Sequence, residues 1–420
     1  MATDVQSHVC ARAAEPAGAD GVPYVARQPI LDLRSKVHAY ELLFNDGATS
    51  KSPGDHEAAA RTVIDDTVIF GLGKLTCGLP AFVKCTAEMM TETLVGMLPS
   101  SMTVLEIEEN AESRSAMTAM CRTLKTAGYR LALDKFAWAP GVEALLEAAA
   151  YVKVDFSQTN RLERRELLGR LRHFAVALVA EKVETQEHFA QARDEGFSLV
   201  QGYYFCRPVL LAKHKIPVNR LSQVEILRLL NDEKLNLHKL TELVKRDTSL
   251  TYRLLRLINS PVCAMQQEVQ SVQSALLAVG EETFRRMAMV AIASDLNSGQ
   301  PLELLRMAFV RGRFCELAAR LQNLDSSEQY LLGMLSLLPA MLRAPMIDLA
   351  PQLPLRAEIR QAMMGDRVPE RGLLTWLERY ELGDWIACGE FARALNLTEW
   401  DLLRCYQEAV LWAEAALYFA

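Results

Sequence analysis

The sequence predicts a chain of two architectural classes, an α/β region followed by an all-α region. Up to about Pro208, short apolar runs of strand length alternate with amphipathic helical segments, which is the pattern of consecutive βα units. After Pro208 the strand signal stops, and nearly every segment from Leu221 to the end has helical periodicity. We therefore predict two domains joined by a linker at residues 213–220, which contain Pro217.

The strand candidates of the first region suit a closed barrel. The first two are separated by a polar turn and end in Gln28-Pro29-Ile30 and in Glu41-Leu42-Leu43. The others span residues 81–85, 103–108, 130–134, 151–155, 176–179 and 199–201. Gly71, Gly128 and Gly196 follow the intervening helical segments as C-cap signals. We predict a barrel at residues 22–208, after a disordered tail at residues 1–21 that is rich in Ala, Gly, Glu and Pro.

The composition narrows the classes of function. The 420 residues are 50% hydrophobic and carry a formal net charge of −6, so the chain can bury large cores but lacks the basic surface of a sequence-independent nucleic-acid binder. Nine cysteines are scattered without a C-x-x-C pair, which favours buried thiols in a reducing cytoplasm over disulfides or a zinc site. Apolar stretches are interrupted before they could span a bilayer. We expect a cytoplasmic protein without a membrane or nucleic-acid partner.

Several motifs of the first region resemble, in order, those of the EAL domain, the barrel fold of the bacterial cyclic di-GMP phosphodiesterases. The family patterns are Q-P-I, E-x-L, E-x-T-E, K-x-D, A-E-G-V-E-T and Q-G-Y. The similar segments here are Gln28-Pro29-Ile30, Glu41-Leu42-Leu43, residues 104–109, Lys153-Val154-Asp155, residues 180–185 and Gln201-Gly202-Tyr203. The resemblance implies a TIM-like (β/α) barrel whose functional residues lie where the strands end. At those positions this chain retains Glu41, Glu106, Asp134, Lys153, Glu181 and Gln201.

Three positions depart from the family pattern and bear on its chemistry. The resemblance implies hydrolysis with two divalent cations held by carboxylate and amide oxygens. Lys84 stands where the family has a metal-binding Asn, and Lys135 stands where it has the second Asp of D-D-F-G-T-G. Asn45 replaces an Arg that meets the nucleotide phosphate. Because an ammonium group only donates hydrogen bonds and repels a cation, we predict a barrel without catalytic residues, metal or cofactor.

The helical region resembles the HDOD domain, which is related to metal-dependent HD phosphohydrolases but lacks their ligands. The resemblance rests on residues 247–250, on Asn259-Ser260-Pro261 and on residues 271–280, which end in Gly280. His238 is the only histidine after Leu221, whereas an HD-type site needs several histidines and an Asp. We predict an HDOD domain with C-terminal helices at residues 209–420, without a metal site. Asn259, Ser260 and Pro261 are predicted to form a structural stop after a helix.

A helix-turn-helix is a second interpretation of residues 275–290, with Gly280 at the turn and Arg285 on the second helix. Met287, Met289 and Val290 crowd that helix with core-type side chains and leave little polar surface to contact bases. We therefore favour packing over DNA binding.

The sequence thus predicts a non-catalytic signalling regulator that acts through protein–protein contacts and is related to cyclic di-GMP signalling by fold. Two alternatives stay open: an effector that binds cyclic di-GMP without hydrolysis, and an active cyclic di-GMP phosphodiesterase. The retained polar residues favour the effector, whereas Asn45 and the lost loop glycines oppose it. We expect that cyclic di-GMP is not bound and that the partner is a protein, with a homodimer left open.

We also predict what neutralises the carboxylates at the end of the barrel where the strands finish, here called the barrel mouth. Uncompensated carboxylates in a small volume would repel one another and take up protons. Three lysines bring positive charge to the same end of the barrel. We predict an ion-pair network of Lys84, Lys135 and Lys153 with Glu41, Glu106, Asp134 and Glu181.

Overall fold

A computed structural model describes residues 25–44, 72–85, 95–108, 114–206, 248–259, 269–297, 299–353 and 355–417, together with positions 223, 226, 227, 229, 230 and 244. Its first part is a closed barrel of eight strands, which confirms the predicted α/β barrel. The strands are β1 (Val25–Asp32), β2 (Val37–Phe44), β3 (Ala81–Lys84), β4 (Thr103–Glu108), β5 (Arg130–Asp134), β6 (Tyr151–Asp155), β7 (Ala177–Glu181) and β8 (Leu199–Gln201).

One strand of the barrel runs against the others. β1 pairs antiparallel with both β2 and β8, whereas every pair from β2 to β8 is parallel. Val25 at the start of β1 lies opposite Phe44 at the end of β2, so the first residues of β1 belong to the barrel mouth. Gln28 therefore faces Glu41 in the register of the two strands.

Two layers of side chains fill the inside of the barrel. The deeper layer is apolar and consists of Ile30, Ala39, Phe82, Val104, Ala132, Tyr151, Val179 and Leu199. Side chains alternate between the two faces of a strand, so the residue two positions nearer the mouth shares the inner face. That rule gives the second layer, here called the mouth layer: Gln28, Glu41, Lys84, Glu106, Asp134, Lys153, Glu181 and Gln201.

The helices of the barrel pack outside its strands. They are α1 (Leu72–Leu75), α2 (Arg114–Thr126), α3 (Glu143–Ala148), α4 (Arg161–Leu171) and α5 (Gln186–Glu195). Asn160 forms a capping box with Glu163 at the start of α4, and Thr185 caps α5. Gly196 ends α5 in the left-handed conformation, as its C-cap position predicts. The helical segment that Gly71 was predicted to end lies outside the described residues.

The region from position 223 onward, here called the helical half, contains helices and no strand among its described residues, which confirms the predicted all-α class. Its helices are α6 (Thr248–Ile258), α7 (Val272–Val279), α8 (Glu281–Leu296), α9 (Leu302–Leu321), α10 (Ser326–Leu335), α11 (Leu338–Leu342), α12 (Met346–Leu349), α13 (Ala357–Met364), α14 (Gly372–Glu381), α15 (Trp385–Ala394) and α16 (Glu399–Leu417). Trp376 of α14 is fully buried and stacks on Phe314 of α9 at 5.3 Å between ring centroids. The halves meet where α9, α14 and α16 contact β1, β2 and the segment after β8.

Candidate functional site

A buried lysine forms the centre of the barrel mouth. Lys153 is fully buried, and its Nζ lies 2.5 Å from Glu106 Oε1, 2.8 Å from Glu181 Oε1 and 3.1 Å from Glu41 Oε2. Asp134 Oδ1 is 3.8 Å from the same nitrogen. One ammonium group therefore pairs with four carboxylates contributed by four other strands. The predicted network forms around this lysine.

The other two lysines do not form that network, and the prediction is wrong for them. Lys135 comes one residue after Asp134, so strand alternation turns it away from the mouth layer. Its side chain is 55% exposed, and its Nζ pairs with Glu108 at 3.1 Å. Lys84 belongs to the mouth layer, but it ends β3 at the rim, is exposed and makes no ion pair with a residue that the structure describes. It acts on the cluster at a distance, because its charge helps to lower the pKa of Glu41.

Another lysine, which was not predicted as a site residue, lies at the rim. Lys182 follows β7 at the position of the replaced glycine, with φ 55°, and its Nζ lies 2.6 Å from Asp155 Oδ2. Although partial burial opposes the charge of Asp155, hydrogen bonds from Lys182 and Ser157 lower the pKa of this carboxyl. The pair could have been predicted from the sequence, because both residues lie at the ends of neighbouring strands, β6 and β7.

Amide side chains extend the cluster towards β1 and β8. Gln201 Nε2 donates to Glu41 Oε2 and, at 2.8 Å, to Gln28 Oε1. Gln28 was not predicted as a site residue, although its alternation with Ile30 places it on the inner face. Asn45, the remaining candidate, lies outside the described residues.

Burial and the neighbouring charges together set the pKa values of the carboxyls in this cluster. Burial and the neighbouring charge of Glu41 raise the pKa of Glu106 well above its usual value, although Lys153 opposes them. Burial also raises the pKa of Glu181 against the same opposing charge. For Glu41 the effect of burial is outweighed by Lys153 and by the hydrogen bond from Gln201, so the pKa is lowered. Glu41 is thus the charged partner of Lys153, and Glu106 binds a proton more readily than an exposed carboxylate does.

Two buried oxygens of the cluster have no hydrogen-bond partner among the described residues. They are Glu106 Oε2 and Gln201 Oε1. A buried acceptor without a donor carries a free-energy cost of about 1–3 kcal/mol. A proton on Glu106 or a cation beside it would remove part of that cost, so the cluster retains a local preference for positive charge.

The residues at the mouth do not fit the pair of divalent cations that the EAL resemblance implies. By that resemblance Lys84 stands at an amide position and Lys135 at a carboxylate position, and of the two only Lys84 belongs to the mouth layer. The ammonium of Lys153 lies within ion-pair distance of all four remaining carboxylates. Within the described part of the chain, no group of three or more His, Cys, Asp or Glu could hold a metal ion.

In the helical half, Asn259 ties the end of α6 to a later part of the chain. Its Nδ2 donates to Val269 O at 2.8 Å, and its Oδ1 accepts from Val269 N at 2.8 Å. This double hydrogen bond joins residues ten positions apart and supports a structural role for the Asn of the signature. Ser260 and Pro261 lie outside the described residues, and Gly280 separates α7 from α8 with φ 76°.

We expect Asn259→Ala to lower the free energy of unfolding by about 1–3 kcal/mol, because the peptide group of Val269 would lose both partners. Urea denaturation followed by circular dichroism measures the change. Asn259→Asp keeps an acceptor for Val269 N but loses the donor, so it is expected to fall between alanine and the natural residue. An alanine variant as stable as the natural protein would contradict the structural role.

The residues considered for a helix-turn-helix lie in α7 and α8. Met287, Val290 and Ile292 of α8 are buried, and Met289 is half-buried. The helix thus uses these side chains for packing, which is the interpretation that the sequence analysis favoured.

The barrel with its polar mouth layer and the helical bundle that follows define a two-domain protein of the EAL and HDOD class. The family model of the EAL domain matches residues 89–208, and that of the HDOD domain matches residues 216–357. The chain is 33% identical to the uncharacterized protein YuxH of Bacillus subtilis (strain 168) over 401 residues, which are 93% of this chain and 97% of that protein. The chain belongs to the family of this relative, and in this chain an EAL domain precedes an HDOD domain.

Two further similarities were found. The chain is 28% identical over 398 residues to the protein named cyclic di-GMP phosphodiesterase CdgJ of Vibrio cholerae, covering 93% of this chain and 92% of that protein. A solved FimX EAL domain from Pseudomonas aeruginosa, bound to c-di-GMP, matches 44% of this chain and 89% of its own, with 17% identity and a TM-score of 0.36. The family relates the chain to cyclic di-GMP signalling by fold. None of the helices described has the length and hydrophobicity to cross a membrane.

Proposed function

We propose that this chain is a non-catalytic signalling regulator that acts through protein–protein contacts. The observation that carries the proposal is Lys84, an ammonium group in the mouth layer where the EAL resemblance implies an amide ligand, beside the retained Lys153 that already pairs with four carboxylates. A buried, paired lysine resists displacement, because removing it leaves carboxylates buried without a counter-charge. The mouth is then a structural element held together by Lys153, and the chain signals through its surface.

The replaced positions support the same conclusion. Lys84 ends β3 and Lys135 follows β5, the two strands that flank β4, so the two lysines add positive charge on either side of the strand that carries Glu106. The EAL match begins at residue 89, so β1, β2 and β3 lie before it, and these strands carry Gln28, Glu41 and Lys84. Lys84 therefore lies outside the matched range, whereas Lys135 lies within it.

A second candidate function is a metal-dependent cyclic di-GMP phosphodiesterase. The name of the relative CdgJ favours it, and so do the unpaired buried oxygens Glu106 Oε2 and Gln201 Oε1, which a cation could contact. An effector that binds cyclic di-GMP without cleaving it is the intermediate case. The three functions differ in two measurable properties, nucleotide binding and product formation.

The test is a titration of the purified full-length chain with cyclic di-GMP, with and without Mg²⁺ or Mn²⁺, combined with chromatography of the mixture. We expect no heat of binding and no linear dinucleotide above a blank. Heat without product would identify the effector. Product formation that Glu41→Ala abolishes would identify the phosphodiesterase and contradict the proposal.

A variant with restored family residues provides the matched control. Lys84→Asn combined with Lys135→Asp returns an amide and a carboxylate to the two altered positions. If these lysines exclude cations, the double variant is expected to bind Mn²⁺ more tightly than the natural chain in calorimetric titration. Equal affinities would show that the lysines are not what sets cation binding.

A further inference from the structure

Two barrel strands carry a mouth-layer residue next to a residue that holds the helical half. On β1, Gln28 faces inward and its neighbour Arg27 contacts α16. On β2, Glu41 faces inward and its neighbour Tyr40 contacts α9. Successive side chains of a strand point to opposite faces, so one short backbone segment carries both a residue of the mouth layer and a residue that contacts the helical half.

The contacts on the outer face of β1 and β2 form a buried polar cluster. Tyr40 is fully buried, and its hydroxyl donates to Glu303 Oε2 at 2.9 Å. Arg306 joins the cluster through Glu303 Oε2 at 2.8 Å and Glu414 Oε1 at 2.6 Å. Arg27 reaches the same Glu414 carboxylate at 3.5 Å. Buried polar groups of this kind resist relative displacement, since a small shift leaves several of them unpaired.

A second connection follows β8. Gln201 contacts Glu41 and Gln28 inside the mouth, and two residues later the Tyr203 hydroxyl donates to Glu381 O of α14 at 2.5 Å. The side chain of Glu381 forms a two-point pair with buried Arg311 of α9, at 2.6 Å and 3.1 Å. The chain therefore connects Gln201 with α14 and α9 through an unbroken series of hydrogen bonds and backbone.

We propose that the mouth layer and the helical half are energetically coupled through β1, β2 and β8. A change at Gln28, Glu41 or Gln201 displaces strand segments whose outer side chains hold α9, α14 and α16, so it alters how firmly those helices are packed. The proposed regulator thereby gains a physical route from the barrel mouth to the surface of the helical half. The coupling does not depend on the absence of hydrolysis, since it concerns packing and not chemistry.

Hydrogen–deuterium exchange of the full-length chain, without nucleotide, tests the coupling. Gln201→Ala removes the contacts with Glu41 and Gln28 but leaves the outer contacts intact. Amide exchange in α9 and α14 is expected to accelerate about tenfold, which is the effect of losing one hydrogen bond to a charged group. Unchanged exchange in both helices, with faster exchange in β8, would overturn the proposal.

A buried polar contact elsewhere in the barrel is the matched control. Arg164 of α4 is buried, pairs with Glu195 at 2.8 Å and contacts Thr159 O and the Phe156 ring, so Arg164→Met directly disturbs only residues of the barrel. It is expected to accelerate exchange in α4 and α5 and to leave α9 and α14 unchanged. Equal acceleration of α9 and α14 by both variants would indicate general destabilisation and overturn the specific route.

Reciprocity provides a second test that does not require Gln201→Ala to fold. Tyr203→Phe removes only the hydroxyl that contacts Glu381, and energetic coupling acts equally in both directions. Exchange in β1 and β8 is expected to accelerate in this variant, together with exchange in α14. Acceleration confined to α14 would show that the helical half moves independently of the mouth.

Discussion

Lys153→Met is expected to lower the free energy of unfolding by about 3–5 kcal/mol, the cost of removing one partner from a buried ion pair. Methionine fills a similar volume, so the loss reflects charge and not a cavity. The variant leaves Glu41, Glu106, Asp134 and Glu181 facing one another without the ammonium that now lies within 3.8 Å of each. Urea denaturation at neutral pH, followed by circular dichroism, measures the change.

Two rim lysines give the matched comparison. Lys135→Met breaks an exposed pair with Glu108, and Lys84→Met removes a charge that pairs with no described residue, so each is expected to cost under about 1 kcal/mol. Mg²⁺ is expected to leave the melting temperature of the natural chain unchanged while Lys153 occupies the cluster. If Lys153→Met is no less stable than Lys135→Met, Lys153 does not neutralise the mouth.

The different fates of the lysines show how far strand periodicity predicts a site. Side chains alternate between the two faces of a strand, so Asp134 and Lys135 lie on opposite faces. The family motif alone shows only that the two positions are adjacent in sequence. The same alternation predicts that Lys84, Lys153 and Gln28 lie on the inner face of the barrel. Periodicity does not predict depth: Lys84 ends its strand at the rim, whereas Lys153 lies two residues before the end of β6.

The docking of the two halves could not be predicted from the sequence. Arg27 and Glu414 meet although they are 387 positions apart, and neither belongs to a motif of its domain. Such pairs depend on how the two domains pack against each other. The periodicity of residues along the chain does not predict that packing. By contrast, the barrel and its helical partner followed from local signals, namely alternating apolar runs, helix caps and glycine stops.

Gly202→Ala is expected to lower the free energy of unfolding by about 4 kcal/mol or more, because the added methyl group has no space. A Cβ at this position would lie 2.2 Å from Val183 O and 2.6 Å from Val183 N, both of them backbone atoms. The residue also has φ +146°, which L side chains rarely adopt. Thermal and urea denaturation of the purified variant measure the loss.

The close approach of the Gly202 and Val183 backbones allows two hydrogen bonds, which is why a large loss of stability is expected. It lets Val183 N donate to Gln201 O at 2.9 Å and lets Tyr204 N donate to Val183 O at 3.1 Å. These two bonds fix the chain on either side of Gly202, between Gln201 in the mouth and Tyr203 beside α14. Gly202→Ala is therefore expected to accelerate amide exchange in α14 as well as in β8.

Gly196→Ala separates the two causes of strain. Gly196 has φ +96° at the end of α5, but no atom lies within 4 Å of the position its Cβ would take. Alanine there incurs only the conformational cost of a left-handed residue, about 1–2 kcal/mol. The difference between the two variants then measures the clash with Val183. A Gly202→Ala variant no less stable than Gly196→Ala would mean that β8 and the segment at Val183 move apart freely, and the route from Gln201 to Tyr203 would lose its rigid link.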